Sequence, residues 1–148
     1  MSAETLEIPT LAARQHALLA ALTHLRDPQA RFAWAVEQAR KRPPLPETLR
    51  LDTHRVTGCQ VRLWFVSEFR DGGCWFRTDS DAVTLKAMTG LLCDLASGAT
   101  PAEIATLDLA FLDQLGLLRQ LAENRRATVL RVADQLRAFA AAQVRPAS

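Results

Sequence analysis

Several absences narrow the chemistry of this chain before any motif is considered. Its 148 residues contain no long apolar run, so neither a membrane-spanning helix nor a signal peptide is expected, and acidic Glu4 and Glu7 also weigh against a signal peptide. The three cysteines are odd in number and irregular in spacing, which fits the reduced thiols of a cytoplasmic protein rather than a disulfide framework. No Cys-x-x-Cys or His-x-x-x-His pair offers a preorganised half-site, so His54, Cys59, Cys74 and Cys93 are not expected to hold a metal. The sixteen arginines and two lysines are scattered, and the net charge is only +2. Without a basic block or interleaved aromatics, a nucleic-acid groove is not expected either. No internal repeat or low-complexity tract is present. What remains is 49% hydrophobic and 23% charged, the composition of one domain spanning residues 1–148 around one core.

Periodicity predicts the elements. A first helix, about Leu11 to Leu25, places Leu11, Leu18, Leu22 and Leu25 on one face. Asp27-Pro28, a capping oxygen followed by proline, starts a second helix with Phe32, Val36 and Ala39 aligned. Pro43, Pro44 and Pro46 prevent its continuation. From Thr57 to Phe69, Cys59, Val61, Leu63 and Phe65 alternate with Gln60, Arg62 and Trp64, a period of two that predicts a half-buried strand. An Asp71-Gly72-Gly73 turn reverses the chain into Cys74 to Thr78, with Cys74 opposite Phe69 and Phe76 opposite Ser67. Trp64 and Trp75 then share the other face, which needs cover from a helix or a partner.

The rest of the chain reads as helical. Ser80 is the expected N-cap of a helix through Leu95, with Leu85, Met88, Leu92 and Leu95 inward. Thr100-Pro101-Ala102-Glu103 is a capping box. A short helix from Leu109 to Leu115 stops at Gly116, and a last helix, about Ala122 to Val144, aligns Val129, Val132, Leu136 and Phe139. The predicted class is α+β: a small antiparallel sheet with helices packed on it.

Cys59 is the leading candidate for chemistry. Gly58 gives the backbone freedom just before it, and Arg55, Arg62 and His54 lie within a few residues, where positive charge favours the reactive thiolate. Gly58-Cys59-Gln60, Leu63-Trp64, Asp79-Ser80-Asp81-Ala82 and Arg125, in that order between about Arg31 and Phe139, resemble the SufE family, the sulfur acceptors of cysteine desulfurases in iron–sulfur cluster assembly. Two stretches depart from that pattern: Val61 stands where the family usually has serine, and Ala122 to Thr128 replaces a Ser-Pro-Ser-Arg motif around the arginine.

The resemblance implies a carrier more than a stand-alone enzyme. Cys59 would take sulfur from a persulfide on the desulfurase and pass it to an iron–sulfur scaffold or a related acceptor, with no cofactor of its own. Pyridoxal phosphate would belong to the desulfurase. A diverged binding module that regulates the desulfurase without carrying sulfur is the alternative. The resemblance further implies that Arg125 supports the cysteine loop or touches the desulfurase, and that Asp79 and Asp81 help hold that loop. Taken alone, the two aspartates also suit a helix N-terminus. His54, Arg55 and Gln60 are candidates for partner binding or loop support; Arg55 and His54 would also favour the thiolate, although His54 reads more simply as a loop residue. Cys74, placed on the order of 30 Å from Cys59 by strand geometry, and Cys93, on an amphipathic helix, read as packing residues.

Overall fold

The hairpin is built on a two-residue turn in which both central residues take positive φ, Asp71 at 53° and Gly72 at 76°. That backbone twist matches the twist of two paired strands, and glycine or aspartate adopts it at low cost. In this computed structural model, which describes residues 9–58 and 60–144, the turn joins β1 (Leu63–Arg70) to β2 (Gly73–Ser80). Cys59, Glu4 and Glu7 lie outside the described residues. The register pairs Ser67 with Phe76 and Phe69 with Cys74, as the turn position predicts.

Helices account for the rest. In chain order they are α1 (Leu11–Thr23) and α2 (Pro28–Lys41) before the hairpin, then α3 (Val83–Ala96), α4 (Pro101–Ala105), α5 (Ala110–Gln114) and α6 (Glu123–Gln143) after it. Their ends follow from the sequence. Asp27 accepts from the Gln29 N–H at 3.0 Å with Pro28 in the first turn of α2. Thr100 and Glu103 exchange the two hydrogen bonds of a capping box at α4. After Lys41 the prolines end the helix, and the linker passes through a turn at 47–49, where the Leu49 N–H donates to the Pro46 carbonyl at 2.9 Å, before a short 3-10 turn at Asp52–His54.

The core sits where α3 meets β2 and α2. Leu85, Met88, Leu92 and Leu95 are buried there, together with Ala87, Leu91 and Cys93 on the other faces of α3. A helix apolar nearly all round must be the central one. Phe65 stacks on Phe76 at 5.6 Å between ring centres, and Phe139 of α6 meets Phe76 edge-on at 5.8 Å. Burying one such aromatic fully stabilises the fold by roughly 1.5–3 kcal/mol.

The structure corrects three expectations. The strand predicted from Thr57 begins only at Leu63, because the Val56 N–H donates to the Leu63 carbonyl at 2.9 Å and the described residues between them, 57–58 and 60–62, lie outside the sheet. Ser80 is not the N-cap of α3; it ends β2, and Ala82 occupies the cap position. Its hydroxyl still accepts from the Ala82 N–H at 3.1 Å. Finally, the tryptophan face is covered by guanidinium groups. Arg50 and Arg62 lie 4.8 and 5.2 Å from the Trp64 ring, and Arg70 lies 4.4 Å from the Trp75 ring. Cations favour aromatic faces, and the alkyl stems of arginine supply apolar cover.

Candidate functional site

The loop between Val56 and Leu63 is held at both ends. Arg55 pairs with Trp64 as an antiparallel bridge, so the chain leaves the sheet and returns to it at adjacent points. On the leading side, Arg131 of α6 donates from Nη1 to the Thr57 carbonyl at 3.0 Å. Gly58 follows with φ at 84°, a conformation that costs other residues about 1–2 kcal/mol. On the trailing side, the Arg62 carbonyl accepts from the Ser80 hydroxyl at 2.7 Å and from the Asp81 N–H at 3.1 Å. The Arg62 side chain pairs with the Asp81 carboxylate at 2.7 Å.

Beside this loop lies a cleft of about 160 Å³, lined by Gly58, Gln60 and Val61 of the loop, Leu85 of α3, and Asn124, Arg125 and Thr128 of α6. Arg125 Nη1 donates to the Thr84 hydroxyl at 2.8 Å, tying the first turn of α6 to the first turn of α3. Thr128 donates from its hydroxyl to the Asn124 carbonyl at 3.1 Å. The described lining carries a guanidinium and no carboxylate. Such a wall favours an anionic sulfur species over its neutral form.

The candidates named from sequence therefore separate. Gln60 and Arg125 meet in the cleft, and Asp81 clasps the end of the loop. Arg55 is exposed and lines a second depression with Asp52, Val56, Thr57 and Gly58. His54 places Nδ1 2.9 Å from the Leu49 carbonyl, which makes that nitrogen the proton donor. Asp79, only 2% exposed, lies on β2 and reaches the proline-rich linker: it accepts from Arg50 at 2.6 Å and from the Leu45 N–H at 2.9 Å. Burial opposes its ionisation most strongly, but Arg50, the Leu45 and Ser80 N–H groups and Lys86 together outweigh it and hold the carboxyl below its usual range.

Sequence reasoning missed Thr84, Leu85, Asn124, Thr128 and Arg131. Part of the signal was available, since Arg125, Thr128 and Arg131 are spaced three apart and adjacent members of that series are neighbours on a helix surface. Nothing in the sequence said that this surface would face the loop.

The other two thiols are in different environments. Cys74 is fully buried on β2 and Cys93 is 5% exposed on α3. Burial raises both above the ordinary thiol range, and for Cys93 the neighbouring Asp94 adds to the effect. A neutral buried thiol is neither a nucleophile nor a ready metal ligand. Among the described residues no three His, Cys, Asp or Glu side chains group closely enough to hold a metal ion, and no helix is long and apolar enough to cross a membrane.

Known proteins resemble this chain along most of its length. A family model described as "SufE: Fe-S metabolism associated domain" matches residues 16–140. An uncharacterized SufE-like protein of Synechocystis sp. is 29% identical over 99 residues, which cover 67% of this chain and 62% of that protein. The sulfur acceptor protein CsdE of Escherichia coli is 32% identical over 85 residues, 56% of this chain and 58% of CsdE. The chain thus spans less than two thirds of the length of either relative. The solution structure of a hypothetical protein from Thermus thermophilus superposes with a TM-score of 0.69 at 23% identity, covering 86% of this chain and 93% of that one; the two share the fold. With its profile matched from the first helix to the last, the chain belongs to the SufE family of Fe-S metabolism associated domains.

Proposed function

We propose that this protein accepts sulfur from a cysteine desulfurase on Cys59 and delivers it to an iron–sulfur scaffold or a related acceptor in the cytoplasm. The observation that carries the reading is the cleft beside the Cys59 loop, with Arg125 in its wall and Thr57 and Arg62 clasped on either side of the cysteine. The likeness to a sulfur acceptor protein supports it.

The transfer is thiol exchange. The Cys59 thiolate attacks the outer sulfur of the donor's cysteine persulfide, the donor's sulfur–sulfur bond breaks, and the donor cysteine leaves as a thiolate with the electron pair. One sulfur–sulfur bond forms as one breaks: the acceptor thiol rises to the persulfide level as the donor falls back to a thiol, so the exchange needs no outside oxidant or reductant. Chemistry on free cysteine, with its pyridoxal phosphate, belongs to the desulfurase. On this chain the tasks are to present the thiolate, favour its charge and limit exposure of the product to oxidants.

A second reading rests on Val61. It lines the cleft as an apolar group where the family usually has serine, which suits a module that docks on the desulfurase without taking sulfur. Cys59→Ser separates the two readings. Under the acceptor reading it leaves docking intact and abolishes stimulation of desulfurase turnover; full stimulation by this variant would favour the regulatory module.

A further inference from the structure

Among the described residues, Arg131 is the one side chain of α6 that hydrogen-bonds the backbone immediately ahead of Cys59. Its Nη1 donates to the Thr57 carbonyl at 3.0 Å. Its guanidinium also lies over Gly58: a Cβ placed on that glycine would come 3.1 Å from Nη1 and 3.3 Å from Cζ. A side chain at position 58 would crowd the guanidinium, which would have to give by a few tenths of an ångström. The nearby carboxylate of Asp134 is engaged by Arg137 at 3.2 Å, and Arg131 turns to the loop.

We propose that Arg131 is a positioning residue for sulfur acceptance, fixing the backbone at Thr57 and Gly58, the two residues that lead into Cys59. The role in transfer rests on the reading of Cys59 as the acceptor; the hold on the loop does not. Arg125 is a separate element, since its guanidinium goes to Thr84 of α3 and shapes the cleft wall. Arg131 instead acts on the main chain. A reacting group displaced by a fraction of an ångström loses rate rather than affinity, so removing Arg131 should lower the maximal rate of transfer and leave docking unchanged. Gly58→Ala should disturb the same stretch from the other side, both by straining the backbone at a φ of 84° and by crowding the guanidinium.

Two measurements on the full chain test this. The first uses NMR relaxation on the isolated protein. In Arg131→Ala, order parameters at the Thr57, Gly58 and Gln60 amides should fall from the rigid range, about 0.85, toward about 0.6 or below, with the rest of the hairpin unchanged. Unchanged values would overturn the proposal.

The second follows sulfur transfer from a purified cysteine desulfurase supplied with cysteine, at varied concentrations of this chain. Arg131→Ala should lower the maximal rate about tenfold at an unchanged half-saturating concentration. Arg131→Lys, which keeps a cationic donor for the Thr57 carbonyl, should recover most of it. A rate equal to wild type in the alanine variant, or a loss confined to half-saturation, would overturn the positioning role. If the wild-type chain itself took no sulfur, the acceptor reading would fall, and the relaxation measurement alone would decide whether Arg131 holds the loop.

Discussion

Asp79 and Arg50 form an ion pair at 2.6 Å between β2 and the proline-rich linker, and the carboxylate is almost wholly buried while the guanidinium is partly exposed. Lys86 adds a second cation at 3.4 Å, and the Leu45 N–H adds a neutral donor. A charge taken out of water is tolerated only when its oxygens are satisfied in this way. The pair anchors the linker, and Arg50 in turn covers Trp64. The fold beneath the loop therefore depends on a carboxylate that does not enter the cleft.

Asp79→Asn should destabilise the protein by about 2–3 kcal/mol, measured by urea unfolding at neutral pH. Its carboxyl is held below the usual range in the folded state. The stability it contributes is therefore fully present above the unfolded value, about 3.9, and is lost as pH falls through the lower folded value. Wild type and Asp79→Asn should converge in stability at the acid end of that window, and a constant difference across it would contradict this assignment.

Asp81→Asn should behave differently, although the two aspartates flank the same serine. The Arg62–Asp81 pair is solvated, with side-chain exposures of 57% and 42%, and exposed pairs contribute about 0–1 kcal/mol. Its loss should change global stability, read by the same urea titration, by less than about 1 kcal/mol. The Asp81 N–H still holds the Arg62 carbonyl, so the clasp should weaken only in part.

Arg125→Ala should reduce sulfur acceptance while leaving the protein folded, since the lost bond to Thr84 is worth about 1 kcal/mol. Thr84→Val removes the same bond from the α3 side. If Arg125 works by being held in place, the threonine variant should show a smaller loss in the same direction. If it works only by touching the desulfurase, Thr84→Val should have no effect.

Thiol reagents should leave Cys74 and Cys93 unmodified in the native protein and label them on unfolding, because both are buried with raised pKa values. Cys74→Ala should cost about 1–2 kcal/mol of stability without altering sulfur acceptance. Modification of either thiol under native conditions, traced by mass spectrometry, would contradict their assignment to the core.

The parts of the structure governed by local chemistry were legible in the sequence. Asp27-Pro28, the Thr100–Glu103 box and the Asp71-Gly72 turn each carry their own hydrogen-bonding or backbone logic, and the turn set the pairing of Ser67 with Phe76. The alternation from Cys59 to Leu63 misled, because a period of two reports which side chains could face a core and not whether a ladder partner exists. Opposite Leu63 stands Ser80, the last residue of β2, so the strand has no partner further back and the chain loops out. Arg131 was legible only in part: its spacing puts it on one helix surface with Arg125 and Thr128, but its partner is a carbonyl 74 residues away, which no local pattern announces. Asp79 and Asp81 looked equivalent for the same reason. Only the path of the linker distinguishes the buried carboxylate from the exposed one.

The most direct test of the central claim is to incubate the protein with a cysteine desulfurase, pyridoxal phosphate and labelled cysteine, and to locate the transferred sulfur by mass spectrometry under non-reducing conditions. Sulfane sulfur on Cys59, absent from Cys74 and Cys93, is the result this account requires. Binding without label on Cys59, when the same desulfurase loads another acceptor, would contradict it.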